Sequence, residues 1–86
     1  MINNSDLNNH TFSMEILEKN INNLKLYTIL LTQHLTPEFC AKYFCAPNDI
    51  YAKDDGDQEI YMHTIIYHQP HLKEEEIKKY KNLFYE

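Results

Sequence analysis

Four side chains in this sequence have the types and spacing to hold a metal: Cys40, Cys45, His63 and His68, in the pattern Cys-x4-Cys-x17-His-x4-His. Two thiolates and two imidazoles suit tetrahedral zinc, and this set is the alternative metal site of the chain. Helical geometry argues against it. Cysteines five residues apart on one helix lie about 140° apart around its axis, at roughly 100° per residue. Structural zinc cysteines sit on turns instead. The preferred reading therefore has no metal and no cofactor, with Cys40 in the core and Cys45 at a helix end.

Two further groups invite a chemical reading. Asp54, Asp55, Asp57 and Glu59 crowd the stretch around Gly56, the single glycine. They lack the twelve-residue spacing and distal bidentate Glu of a calcium loop, so a solvated acidic loop is expected. His34 and His71 follow one another at equivalent places in a repeated pattern, where capping or packing is the expected role. There is no Ser-His-Asp spacing and no nucleophile elbow, and the chain is read as non-enzymatic. The remaining surplus is aromatic, with seven Tyr and four Phe. Tyr51 and Tyr61 flank the acidic loop. Exposed Tyr beside acids is a composition of protein-binding patches. Asp54, Asp55, Asp57, Glu59, Tyr51 and Tyr61 are thus the expected partner-binding set.

Composition narrows the partner. The 86 residues carry a net charge of -5, and every basic residue is Lys. Without Arg the chain lacks the forks that read phosphate and guanine, which disfavours nucleic acid as a direct partner. Acidity disfavours an anionic membrane surface as well. A protein with a basic surface remains the fitting partner. Two cysteines are too few for a disulfide scaffold, no signal peptide is legible, and no apolar run approaches a bilayer span. The expected location is the cytoplasm, that of a host cell if the chain is viral.

The elements that must position these residues are helical. Residues 1–11 are polar and read as a flexible tail, and 12–86 read as a single helical domain. Ser13 is a fair N-cap, with Ile16, Leu17, Ile21 and Leu24 at helical steps and a break expected near Asn23. Thr36-Pro37-Glu38 is the sharpest start signal: an N-cap, a proline at the first helical position and an acid at the positive end of the dipole. That helix should run to about Cys45. The last should run from about Leu72 to Leu83, with Glu74–Glu76 leading and Lys78, Lys79 and Lys81 trailing. Two segments, 24–33 and 59–68, suit either helix or strand.

A repeat decides between them. Gln33-His34-Leu35-Thr36-Pro37-Glu38 through Lys42-Tyr43 is matched by Gln69-Pro70-His71-Leu72 through Lys79-Tyr80, if Pro70 is an insertion. An offset of 36 to 37 residues falls in the range of helical-hairpin repeats. The expected fold class is all-α: a small bundle of four to five short helices built from two helix-turn-helix half-repeats, with an N-terminal helical lid. The alternative is α+β, with a two-stranded ribbon at 24–33 and 59–68.

The pattern Ile29, Gln33, Leu35, Thr36, Glu38, Phe39, Lys42, Tyr43, then Ile65, Gln69, Leu72, Glu75, Ile77, Lys79, Tyr80, resembles a tandem helical repeat of some large-virus and bacterial proteins. It spans roughly Ile29 to Phe84. Those proteins usually place a Trp between the helices, and this chain has none. The resemblance implies a helical fold and a viral or mobile-element origin, and no activity. The function expected from the whole is that of a small acidic factor that binds and inhibits a host protein, such as a nucleic-acid-binding or defence protein. The alternatives are a zinc-stabilised module and a homo-oligomeric structural subunit.

Overall fold

The computed structural model describes residues 1–86. It contains seven α-helices and no strand: α1 Asn4–Asn9, α2 Met14–Lys19, α3 Leu26–Thr32, α4 Pro37–Tyr43, α5 Asp55–Gln58, α6 Met62–His68 and α7 Glu74–Tyr85. Short 3₁₀ turns stand at Ile21–Asn23 and Pro47–Asp49. The fold is all-α, and the ribbon alternative falls, because 26–32 and 62–68 are both helical. The helices outnumber the four or five expected because residues 4–9 form α1 and the stretch between the repeats adds α5.

Local chemistry sets the starts. The Ser13 hydroxyl accepts from Ile16 N, and the Thr36 hydroxyl accepts from Phe39 N at 3.2 Å, with Pro37 at the first position of α4. Each relieves one amide that the helix cannot pair internally. Glu74, Glu75 and Glu76 fill the first turn of α7, as the dipole favours, with Glu74 paired to Lys78 one turn on.

The helices form two layers. α3 contacts α1, α5 and α6 in one layer; α4 packs against α7 in the other. Leu7, Leu17, Leu24, Ile29, Leu30, Leu35, Cys40, Ile65 and Ile77 are fully enclosed where the layers meet. Phe39 and Tyr43 pack with rings 4.8 Å apart on the α4 side of that core.

Residues 1–11 are not a loose tail. Asn3 and Asp6 form a capping box over α1: Asp6 N donates to the Asn3 side chain and Asn3 N to the Asp6 carboxylate. Leu7 lies in the main core. The segment is also tied by Ile2 N to the Asn20 side chain and by Lys25 N to that of Asn4. One buried leucine and this polar lacing offset an ordering cost that composition alone made look prohibitive. The N-terminal part therefore comprises two helices, α1 and α2.

Two glutamines show how the hairpins stack. Gln33 accepts from Phe12 N at 2.8 Å and donates to Leu7 O and His10 O. Gln69 accepts from Leu35 N at 3.1 Å and donates to Leu30 O and Gln33 O, both at 2.7 Å. The recipients correspond: Leu7 to Leu30, His10 to Gln33 and Phe12 to Leu35, a step of 23 residues each time. Each glutamine closes its own helix and clips the preceding hairpin at the same three atoms. Both amides are buried, and the oxygen and nitrogen of each are hydrogen-bonded.

Candidate functional site

The acidic stretch divides by role. Asp57 is only 4% exposed. Its carboxylate accepts from Leu26 N, Tyr27 N and Lys53 N, each at 2.9 Å. The first two are the opening amides of α3, whose own N-cap, Lys25, offers no side-chain bond. Asp57 therefore caps α3 from thirty residues away in sequence and is withdrawn from the expected partner-binding set. Asp54 caps α5 through Asp57 N and is ion-paired with Lys25. The hydrogen bond to the Lys25 ammonium, then that from Asp57 N, holds the Asp54 carboxyl below the usual carboxylate range. The same partner raises Lys25.

Asp55 and Glu59 are exposed, and neither has an ion-pair partner. Tyr61 is 57% exposed beside them, its ring stacked on His63 with centroids 5.8 Å apart. Tyr51 instead leans edge-on against Tyr43, ring centroids 4.9 Å apart, and is half-buried. Of the expected partner-binding set, Asp55, Glu59 and Tyr61 are thus the members left exposed around the α5–α6 junction.

The alternative metal set does not assemble. No three His, Cys, Asp or Glu side chains converge as a ligand group. Cys40 is sealed in the core and burial drives its thiol pKa strongly upward. Cys45 is half-buried, and burial raises its thiol too, against a small opposing pull from Lys81. A zinc ligand has to be thiolate, which both environments disfavour. His63 is taken up with Tyr61, while His68 packs edge-on to Tyr27 and Tyr67.

His34 and His71 come together as stacked rings 3.9 Å apart, 15° from parallel. His71 Nε2 lies 2.7 Å from Leu35 O and carries the proton of that bond, since a carbonyl only accepts. The pair joins two hairpins. No nucleophile or carboxylate bonds to either ring, so it does not form an acid–base dyad.

A larger feature was not foreseen. Residues 7–14, 26–37 and 60–72 contain no Asp, Glu, Lys or Arg, and all five histidines fall within them. These stretches are the second half of α1, all of α3 and α6, and the loops that follow. Counting from the clip residue of each hairpin, equivalent positions form rows across the layer. Ser5, Thr28 and Thr64 form one, Asn8, Leu31 and Tyr67 the next, and, once Pro70 is passed over as an insertion, Thr11, His34 and His71 the third. Of these, His34 and His71 are a pair in direct contact. Leu31 is 55% and Tyr67 80% exposed. Asp6 lies on α1 and Asp55 and Asp57 on α5; the remaining charged side chains sit on α2, α4 and α7 and in the connecting segments. There Tyr43 donates to the Glu18 carboxylate at 2.8 Å, beside the Lys42–Glu18 pair. Burial, then that acidic partner, raises the Tyr43 phenol. Aligning all three hairpins, and not the last two alone, would have exposed this face in the sequence.

Three depressions mark the surface. The largest, about 570 Å³, is an open polar groove lined by Leu7, Asn8, Asn9, His10, Thr11 and Thr32. No helix is long and apolar enough to cross a membrane. No family model, curated protein or solved structure matches the chain.

Proposed function

We propose that this chain is a non-enzymatic binding protein that engages the basic surface of another protein through the corner formed by Asp55, Glu59 and Tyr61. One observation carries the reading: two exposed carboxylates without cationic partners stand next to an exposed tyrosine. Free carboxylates steer a basic partner, and a rigid, amphipathic ring supplies contact area at small entropic cost. Within that class the reading is of a viral or mobile-element factor acting on a host nucleic-acid-binding or defence protein. Net charge -5 and the lack of Arg support it, since a small acidic chain fits a groove that normally holds a polyanion.

The test is affinity capture from a host lysate, with the chain carrying Asp55→Asn, Glu59→Gln and Tyr61→Ala together as the comparison. The wild-type chain should retain a basic partner at low salt. That retention should fall on the order of tenfold or more at high salt, and equally in the triple variant. A partner held equally by the triple variant and at high salt would remove the proposal, as would recovery of none.

A further inference from the structure

We infer that the cleft between α2 and α4 binds a primary ammonium on an unbranched alkyl stem, the chemistry shared by a lysine side chain and a free aliphatic diamine. The site stands apart from Asp55, Glu59 and Tyr61, and the inference does not depend on them. The cleft holds about 200 Å³ and is the most enclosed of the three depressions. Met14 and Phe39 line it with apolar surface, and Glu18, Thr36, Glu38 and Lys42 with polar groups. Phe39 is 2% exposed and Met14 packs half-buried against the core, so the apolar part is the floor. A thioether and a ring edge suit a chain of methylenes. An amine of four or five carbons has five or six heavy atoms. At about 30 Å³ each, the share of one water molecule, these fill about 150–180 Å³.

The polar groups select the head of the ligand. Glu18 Oε2 accepts from the Tyr43 hydroxyl at 2.8 Å and from the Lys42 ammonium at 3.3 Å. Those two bonds hold the carboxylate in place and leave Oε1 without a partner. Glu38, in the first turn of α4, has no ion-pair partner. Thr36 Oγ1 accepts from Phe39 N and keeps a second lone pair. Glu18 Oε1, Glu38 and Thr36 Oγ1 thus offer three acceptors on one cleft, and an ammonium has three N–H donors. Charge agrees with that count. Two carboxylates against the single cation of Lys42 leave one negative charge in excess, which a monocation balances. Lys42 itself shows the head group that the site accepts: its ammonium sits on Glu18, 5.4 Å from the centre of the Tyr43 ring. A metal ion is a poorer match, since no three ligating side chains converge here.

Amide NMR on the isotope-labelled full chain tests this, with cadaverine in one titration and Nα-acetyl-lysine amide in another, both at constant ionic strength. Saturable shifts are expected at α2 and the first turns of α4, with a Kd of about 1–10 mM for so small a ligand. The probe methylenes should show Overhauser contacts to the Met14 methyl and the Phe39 ring. Glu38→Gln, at an exposed site, and Glu18→Gln should each weaken binding at least about threefold without changing the helical circular dichroism. Asp55→Asn should bind like wild type. Pentanol, which has the stem without the charge, should bind at least about tenfold more weakly. Tighter binding of cadaverine supports a free amine as the occupant, and tighter binding of the lysine amide supports a lysine of another protein. No saturation below about 100 mM overturns the inference. So do shifts without contacts to Met14 and Phe39, which are ionic association only, and an affinity unchanged in both glutamate variants. Pentanol binding as tightly as the amines overturns it equally. Any of these failures leaves the reading of Asp55, Glu59 and Tyr61 as it was.

Discussion

Asp57 illustrates how a residue of ordinary loop type becomes structural. Three backbone amides converge on its carboxylate, and two of them open α3. Replacing it with Asn turns one acceptor oxygen into a donor that faces an N–H, and unpairs at least one buried amide. The expected loss is about 1–3 kcal/mol of unfolding free energy, read from urea denaturation. A change below about 0.5 kcal/mol would mean that water replaces the carboxylate. Asp54, on the surface, behaves differently. The Lys25 ammonium keeps the carboxyl ionised below its ordinary 3.8 in the folded chain. The pair therefore contributes stability above that value, and the contribution disappears as pH falls through the lower folded value. Lys25 is raised above its ordinary 10.5, so the same contribution also goes as pH rises past the raised value. Because both groups are open to solvent, the effect is small. Asp54→Asn should flatten the acid side of the urea midpoint measured between about pH 2 and pH 7.

At the scale of elements, the two glutamine clips decide how hairpins register. Gln69→Glu keeps the acceptor for Leu35 N but sets a carboxylate oxygen against Leu30 O and Gln33 O, where the amide donated twice. It should destabilise by about 3 kcal/mol or more, and more than Gln69→Met, which removes the polar group and leaves the carbonyls without a repelling charge. Gln33 O is one of the recipients, so changes at the two glutamines should be non-additive. A double-mutant cycle is expected to show coupling of about 0.5–3 kcal/mol. The repeat carrying these residues was legible, because Gln, Leu, Glu, Lys and Tyr recur at matched positions. So were the starts of α2 and α4, at Ser13 and Thr36, where a side chain and its helix are neighbours in sequence. The α1–α2 hairpin was not, since His10 stands at the clip position and the offset drops from 36 to 23 residues. The burial of Asp57 was not legible either. Its partners lie about thirty residues away, and nothing local distinguishes it from Asp55. Of the acidic stretch, sequence located the cluster, and only packing separated the carboxylates that hold the fold from those left at the surface.

Across the whole molecule, the third hairpin is attached differently from the first two. In the earlier hairpins the amide two residues past the clip position, Phe12 N or Leu35 N, bonds to the next glutamine. In the third, Pro70 lengthens the loop, and Leu72 N bonds back to Gln69 O at 3.0 Å. That edge satisfies itself and offers no matching clip. Its helices are also thinly buried, with Ile65 the only buried residue of α6 and Ile77 that of α7. What holds the unit is the Gln69 clip, the packing of α7 on α4, and the bond from the Tyr85 hydroxyl to Lys42 O. Fewer buried contacts mean a lower local opening free energy. Amides of α6 and α7 should therefore exchange with solvent deuterium faster than those of α3 and α4, and Tyr85→Phe should widen the gap by releasing the end of α7. Equal protection across all four helices in dilute protein would show that the clip and Ile77 couple the third hairpin fully to global unfolding, and that its sparse burial has no consequence for its opening.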